Sequence, residues 1–170
     1  MKFHRYTLED CHQATGIVLI IDVLRAFSTA AYSFSRNAKE IRLVSTVDEA
    51  LTLKSQISGS KAIGEVGGIP PEGFDFGNSP THILEHNLTD ITLIQRTGSG
   101  TQGAVRAVNA NVLLATSFVV AGATVEYVRK LQPHEVSFVI TGGMDNDEDV
   151  ACADYLEMKL TGQQANDETF

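Results

Sequence analysis

The sequence predicts an α/β domain of the three-layer α/β/α kind, with a mostly parallel or mixed sheet of about six strands and helices on both faces. Three observations predict it. Ile17-Val18-Leu19-Ile20-Ile21 is an unbroken aliphatic run that stops at Asp22, the pattern of a strand covered by helices on both sides. Strand-like runs alternate with segments of helical spacing along most of the chain, as βαβ units do. No internal repeat or interdomain linker interrupts them, so residues 1–170 read as one domain with a polar tail from about residue 162.

After the first strand, Ala26, Ala30, Phe34 and Ala38 recur at helical spacing, which makes 25–37 the first crossover helix. Ile41 to Val44 is the next strand. Thr46-Val47-Asp48-Glu49 then matches a capping box opening a helix through Ala50, Leu51, Leu53 and Ile57. Lys61 to Gly64 is a short strand, and Glu65 to Pro80 is a glycine-rich loop holding three of the four prolines. A short helix passes through Ile83 and Leu84, and Ile91 to Ile94 is a strand. The turn Gly98-Ser99-Gly100 leads into a helix around 104–108. Val112 to Ala115 and Val136 to Ile140 complete the strands, separated by a helix over 121–131, and a last helix begins near Asp147 and turns Val150, Ala151, Tyr155 and Leu156 inward.

A chain of 170 residues can bury a core without disulfides or structural metal. Its 13 basic and 21 acidic residues give a net charge of −8, with no Lys/Arg block to track a phosphate backbone, so nucleic acid is not the expected partner. Cys11 and Cys152 are the only cysteines, which suits a reducing cytoplasm. The most apolar stretch, 16–21, is too short to span a bilayer, so neither export nor membrane insertion is expected.

In a sheet of this kind, ligands bind beyond the carboxyl ends of the strands. Asp22 stands there, where it either reaches into the crevice toward a metal or reacting group or caps the next helix. Arg25 runs against the acidic preference of a first helical turn, so it is either an anion binder or a solvated side chain. Haloacid-dehalogenase-type phosphatases also place Asp after an apolar strand, but their second Asp would fall at Leu24, which cannot serve as acid or base.

Arg96-Thr97-Gly98-Ser99-Gly100-Thr101 leads from strand to helix. Its backbone amides and the hydroxyls of Thr97, Ser99 and Thr101 suit a phosphate or sulfonate, and an ordinary tight turn is the alternative. It is neither a Walker loop nor a Rossmann fingerprint. Asp145-Asn146-Asp147-Glu148-Asp149 offers oxygen ligands for a hard cation or simply acidic caps. Cys152 is either a nucleophile or a small buried residue. His82 and His86 have the spacing of paired zinc ligands but no evident third partner, while His4, His12 and His134 stand apart.

Four segments in order resemble the 2-phosphosulfolactate phosphatase (ComB-like) family: Asp22-Val23-Leu24-Arg25-Ala26, Gly64-Glu65, the long and specific Gly73-Phe74-Asp75-Phe76-Gly77-Asn78-Ser79-Pro80, and Glu148-Asp149-Val150-Ala151-Cys152-Ala153. The loop Arg96 to Gly103 is similar to a fifth family motif. The resemblance implies a three-layer α/β fold and a magnesium-dependent phosphatase that converts 2-phospho-3-sulfolactate to 3-sulfolactate on a route to coenzyme M. By position it implies Asp22, Glu65, Glu148 and Asp149 as the Mg2+ shell. Arg25, Asn78, Ser79, Thr97, Gly98, Ser99, Gly100 and Thr101 become contacts to the small phosphorylated, sulfonated acid, and Asp22, Arg25, Glu65 and Asp149 the catalytic set.

Two departures bear on this expectation. The loop reads Arg-Thr-Gly-Ser-Gly-Thr where many family members carry a Thr-Thr-Asn-Gly-Thr type of sequence, which touches substrate choice. The chain also ends soon after the Glu-Asp-x-x-Cys motif, where family members continue with more helix and strand; the expectation is a lost pocket wall, or a sheet edge that a second copy could pair with as a homo-oligomer. Magnesium would bridge carboxylates and a phosphate oxygen, with Arg25 and the loop amides meeting the developing charge and water or a carboxylate attacking. A non-catalytic module that binds a phosphorylated or sulfonated metabolite is the alternative, and a purely structural role a third.

Overall fold

The computed structural model of the chain describes residues 1–145 and 147–162. Its strands are β1 (Lys2–Tyr6), β2 (Gly16–Ile21), β3 (Glu40–Leu43), β4 (Lys61–Gly64), β5 (Phe76–Gly77), β6 (Thr92–Arg96), β7 (Ala110–Thr116) and β8 (Glu135–Ile140). The helices are α1 (Ala26–Ser35), α2 (Val47–Gln56), α3 (Pro80–Leu84), α4 (Gly100–Arg106), α5 (Ala121–Leu131) and α6 (Asp147–Thr161). The α/β alternation is as expected, with the strands divided between two four-stranded sheets, β1-β8-β2-β7 and β3-β6-β4-β5. Every pairing between these strands is parallel.

Among the described residues the strands number eight rather than about six. β1 reads Lys-Phe-His-Arg-Tyr and pairs only with β8 at the sheet edge, so it carries no apolar run. β5 is two residues long, below what periodicity can register.

β2 shows why its sequence is aliphatic throughout. Ile17, Leu19 and Ile21 face α5 and α6 in one cluster with Val125, Val128 and Leu156, while Val18 and Ile20 face Ala26, Phe27 and Ala107 on the other side. Each such side chain contributes roughly 1.5–3 kcal/mol on burial. Leu43 of β3 packs against that second cluster and α4 touches both β2 and β3, so the two sheets meet across α4. In the second sheet, Ile63 and Leu93 pack with Ile83 and Leu88, and Ile94 packs with Val44 and Ala50 on the opposite face.

The helix starts follow their sequence signals. Thr46 Oγ1 accepts from Glu49 N at 3.1 Å, as a capping box requires, although Glu49 returns to Ser45 N rather than to Thr46. Ser79 caps α3 and Pro80 takes its first position. No helix among the described residues is long and apolar enough to cross a membrane. Residues 163–170 of the expected tail lie outside the described residues.

Candidate functional site

The carboxyl ends of four strands supply the site: β2 delivers Asp22, β8 delivers Thr141 and Gly142, β4 delivers Glu65, and β6 delivers the loop Thr97 to Gly100. Asp22 is 6% exposed. Its Oδ1 accepts from Ala26 N at 2.8 Å, so it does cap α1. The same carboxylate also accepts from the Gly100 amide. A Cβ on Gly100 would stand 2.7 Å from Asp22 Oδ2 and 2.7 Å from Ala26 Cβ, so only glycine lets α4 begin against this carboxylate.

Asp149, 3% exposed, reaches back from α6. Its Oδ1 accepts from Val23 N at 2.8 Å and its Oδ2 from Gly142 N at 3.1 Å, which ties α6 to the turn after β2 and to the end of β8. Glu65 holds the opposite side: Oε1 accepts from Gly98 N at 2.6 Å and Oε2 from Gly68 N at 2.7 Å. The amide that the loop would offer an incoming anion is thus already bonded to the protein's own carboxylate.

The three carboxylates form one electrostatic unit. Burial pushes the Asp22 carboxyl up to about 6; the charges of Asp149 and Glu65 add to the rise, while the Ala26 and Gly100 amides oppose it. Burial also raises Asp149, with the half-buried Glu148 adding charge and the Val23 and Gly142 amides opposing. Among the described residues, no three of His, Cys, Asp and Glu converge into a ready-made cation cage. Magnesium does not require one, because it keeps several waters and takes one or two carboxylates. Asp22 and Asp149, buried and mutually repelling, fit that donor set.

Other expected residues divide by what already engages them. Thr97 and Thr101 serve the start of α4: Thr97 N donates to Thr101 Oγ1 at 2.8 Å and Thr101 N to Thr97 Oγ1 at 3.1 Å. Ser99 precedes α4 without a side-chain capping bond. Ser79 Oγ accepts from His82 N at 3.4 Å. Asn78 is buried, and its Oδ1 has no hydrogen-bond partner among the described residues. Arg25 is exposed and makes no ion pair among the described residues, whereas Arg96 is spent on backbone, donating to Glu65 O at 2.8 Å and Ser45 O at 3.3 Å. Of the acidic run, Asn146 and the side chain of Asp147 lie outside the described residues.

The Gly73 to Pro80 segment is largely architectural. Asp75 accepts from Lys54 Nζ, Lys61 Nζ and Ala62 N at 2.8–2.9 Å. Burial pushes its carboxyl up, but these donors win and hold it below the ordinary value. Phe74 and Phe76 pack on opposite faces of the second sheet. Cys152 is likewise a packing residue: it is fully buried in the cluster around Ile21 and Leu156, and burial, with the nearby Asp149 charge, pushes its thiol up to about 12. A thiol held protonated at neutral pH is a poor nucleophile.

Sequence reading missed Gln95. It is fully buried in β6, and its Nε2 donates to Ala26 O at 2.9 Å while Ala26 N holds Asp22. Its side chain therefore ties the second sheet to the residue whose amide positions Asp22. The available signal was an amide inside the apolar strand Leu93-Ile94-Gln95. Gln95→Ala should lower unfolding free energy by about 2–3 kcal/mol, from the lost bond and the cavity between the sheets. A urea midpoint equal to that of the parent chain would remove Gln95 from this role.

Beside Gly142 a cleft of about 350 Å³ opens between Thr7, Glu9, Thr141 and Met144. It shares Gly142 with Asp149 and is large enough for a small metabolite.

A sequence model of the family described as 2-phosphosulpholactate phosphatase matches residues 3–170. The chain is 40% identical over 147 residues to a probable 2-phosphosulfolactate phosphatase of Bacillus subtilis, covering 86% of this chain and 64% of the relative. It is 40% identical over 151 residues to one of Carboxydothermus hydrogenoformans, covering 86% and 61%. A third, from Thermosynechococcus vestitus, is 34% identical over 163 residues, covering 89% and 67%. The chain thus spans a little over three fifths of the length of the first two relatives.

Proposed function

The chain belongs to the 2-phosphosulpholactate phosphatase family, and from that premise we propose that it hydrolyses the phosphate monoester of a small acidic metabolite with the help of magnesium. The substrate carried by the names of its relatives is 2-phosphosulfolactate, which would yield 3-sulfolactate and phosphate. The observation that supports this reading is the buried Asp22, whose carboxyl is pushed up to about 6 by burial and by two neighbouring carboxylates at the strand ends. Such a charge arrangement favours a divalent cation.

Asp22 and Asp149 would hold the ion, which supplies Lewis-acid stabilisation of the phosphoryl oxygens. Both carboxylates accept backbone N–H bonds, which fixes them as positioned anions and supports water as the attacking group. Water oxygen bonds to phosphorus as the bond from phosphorus to the C2 oxygen breaks, and the proton released by water balances the one taken up by the leaving oxygen. Arg25, exposed at the start of α1, and the Ser99 hydroxyl would meet the anionic groups. Glu65 must yield the Gly98 amide if that donor is to serve the phosphate.

The substrate class is tested by comparing kcat/KM for 2-phospho-3-sulfolactate and for phospholactate, which lacks the sulfonate. A preference of tenfold or more for the sulfonated ester is expected. Equal values would move the assignment to phosphorylated hydroxy acids in general. Thermal stabilisation by both esters without release of phosphate would instead make the chain a binding module.

A further inference from the structure

His82 and His86 follow the edge strand β5 of the second sheet, whereas the carboxylates Asp22, Glu65 and Asp149 each accept from backbone amides. Their Nε2 atoms face each other at 3.3 Å, with ring planes at 79° and centroids 4.9 Å apart. Phe76 stands against both rings, its centroid 4.8 Å from His86 and 6.1 Å from His82. The backbone beneath is fixed on each side. Pro80 and the Ser79 cap set the start of α3, Ile83 is fully buried, and Arg36 Nε donates to His86 O at 2.8 Å.

The separation has a definite chemical meaning. Imidazole nitrogens bind zinc at about 2.0–2.1 Å, so two of them on adjacent corners of a tetrahedron stand about 3.3 Å apart. The pair already holds that edge. We propose that His82 and His86 form a two-imidazole chelate for a divalent transition ion of the Zn2+ or Cu2+ class, with water completing the coordination. Imidazole selects this class, whereas the carboxylates at Asp22 suit magnesium, so the two sites sort ions by ligand type. Bound metal joins positions four apart, fastening the end of α3 and the turn after it. The net charge of −8 favours the approach of a cation.

The competing explanation of the same contact is a hydrogen bond between two neutral rings, which would need no ion. Zinc titration of the full chain by calorimetry, with magnesium in excess to hold the carboxylate site, separates them. One Zn2+ per chain is expected, with at least a tenfold loss of affinity in His82→Ala and in His86→Ala and no change in His12→Ala. A measurement on the unaltered chain gives an independent reading: the electron paramagnetic resonance spectrum of one equivalent of Cu2+ should show coupling to two imidazole nitrogens. Zinc affinity unchanged in both histidine variants, no zinc binding by the unaltered chain, or copper without that two-nitrogen pattern would each overturn the proposal. Because magnesium-dependent turnover is not the readout, failure here leaves the phosphatase reading untouched.

Discussion

Asp22→Asn should lower magnesium-dependent phosphate release on the order of 10³-fold or more, the scale on which loss of a preorganised charged group is felt in transfer chemistry. The same substitution should stabilise the metal-free fold at alkaline pH. The folded-state carboxyl sits at about 6 against an ordinary 3.8, so folding binds the proton more tightly and ionisation of Asp22 works against the fold. Its contribution is fully present below about pH 4 and lost as pH rises through 6. By pH 8 that loss is about 3 kcal/mol. Asn stays neutral but gives up one acceptor, either to Ala26 or to Gly100, at about 1 kcal/mol. With chelator at pH 8 the variant should therefore be more stable by about 2 kcal/mol, and at pH 4 the advantage should vanish. Added magnesium should raise the melting temperature of the parent chain and leave the variant unmoved. Full activity in Asp22→Asn would remove the residue from its role.

Gly64→Ala should be the most damaging change to the fold. A Cβ there would fall 1.8 Å from the Arg96 carbonyl oxygen and 2.7 Å from its carbon, where β4 pairs with β6, and φ is +140°. Backbone cannot yield as a flexible side chain would, so β4 and β6 must separate, carrying Glu65 and the Thr97 loop with them. A loss above about 4 kcal/mol is expected. Gly59→Ala is the control: φ is +75° and nothing lies within 4 Å of its Cβ. Conformational strain alone should cost it about 1 kcal/mol. Urea unfolding of the pair separates collision from strain; equal midpoints would show that the Gly64 contact does not govern stability.

The contrast between these residues shows what a sequence discloses. Asp22 was legible because an aliphatic strand stops on it, and β2, β4, α5 and the start of α6 follow equally local signals. Glu65 became legible through motif resemblance alone and Asp149 through the acidic run that it ends, since nothing local says that Glu65 will reach Gly98 or Asp149 will reach Val23. The division into two sheets was hidden for the same reason: apolar runs identify strands but not their partners. Gly100 reads as part of an anion loop, and Gly103 follows it in the motif. In the fold they also let α4 close on β2, where a Cβ at Gly103 would come within 3.0 Å of Ile20 and 2.9 Å of Thr141. Thr97 and Thr101 carry hydroxyls that suit either a ligand or a turn, and Ser79 one that the resemblance gives to a ligand; in the fold all three accept from backbone amides at the starts of α4 and α3.

That Asp22, Asp149 and Glu65 serve a magnesium-assisted phosphatase is tested most directly by phosphate release from 2-phospho-3-sulfolactate, measured on the full chain with millimolar magnesium, after chelation, and after magnesium is restored. Release that chelator abolishes and magnesium returns is expected. Release undiminished by chelator, or none in any of the three conditions, would contradict it.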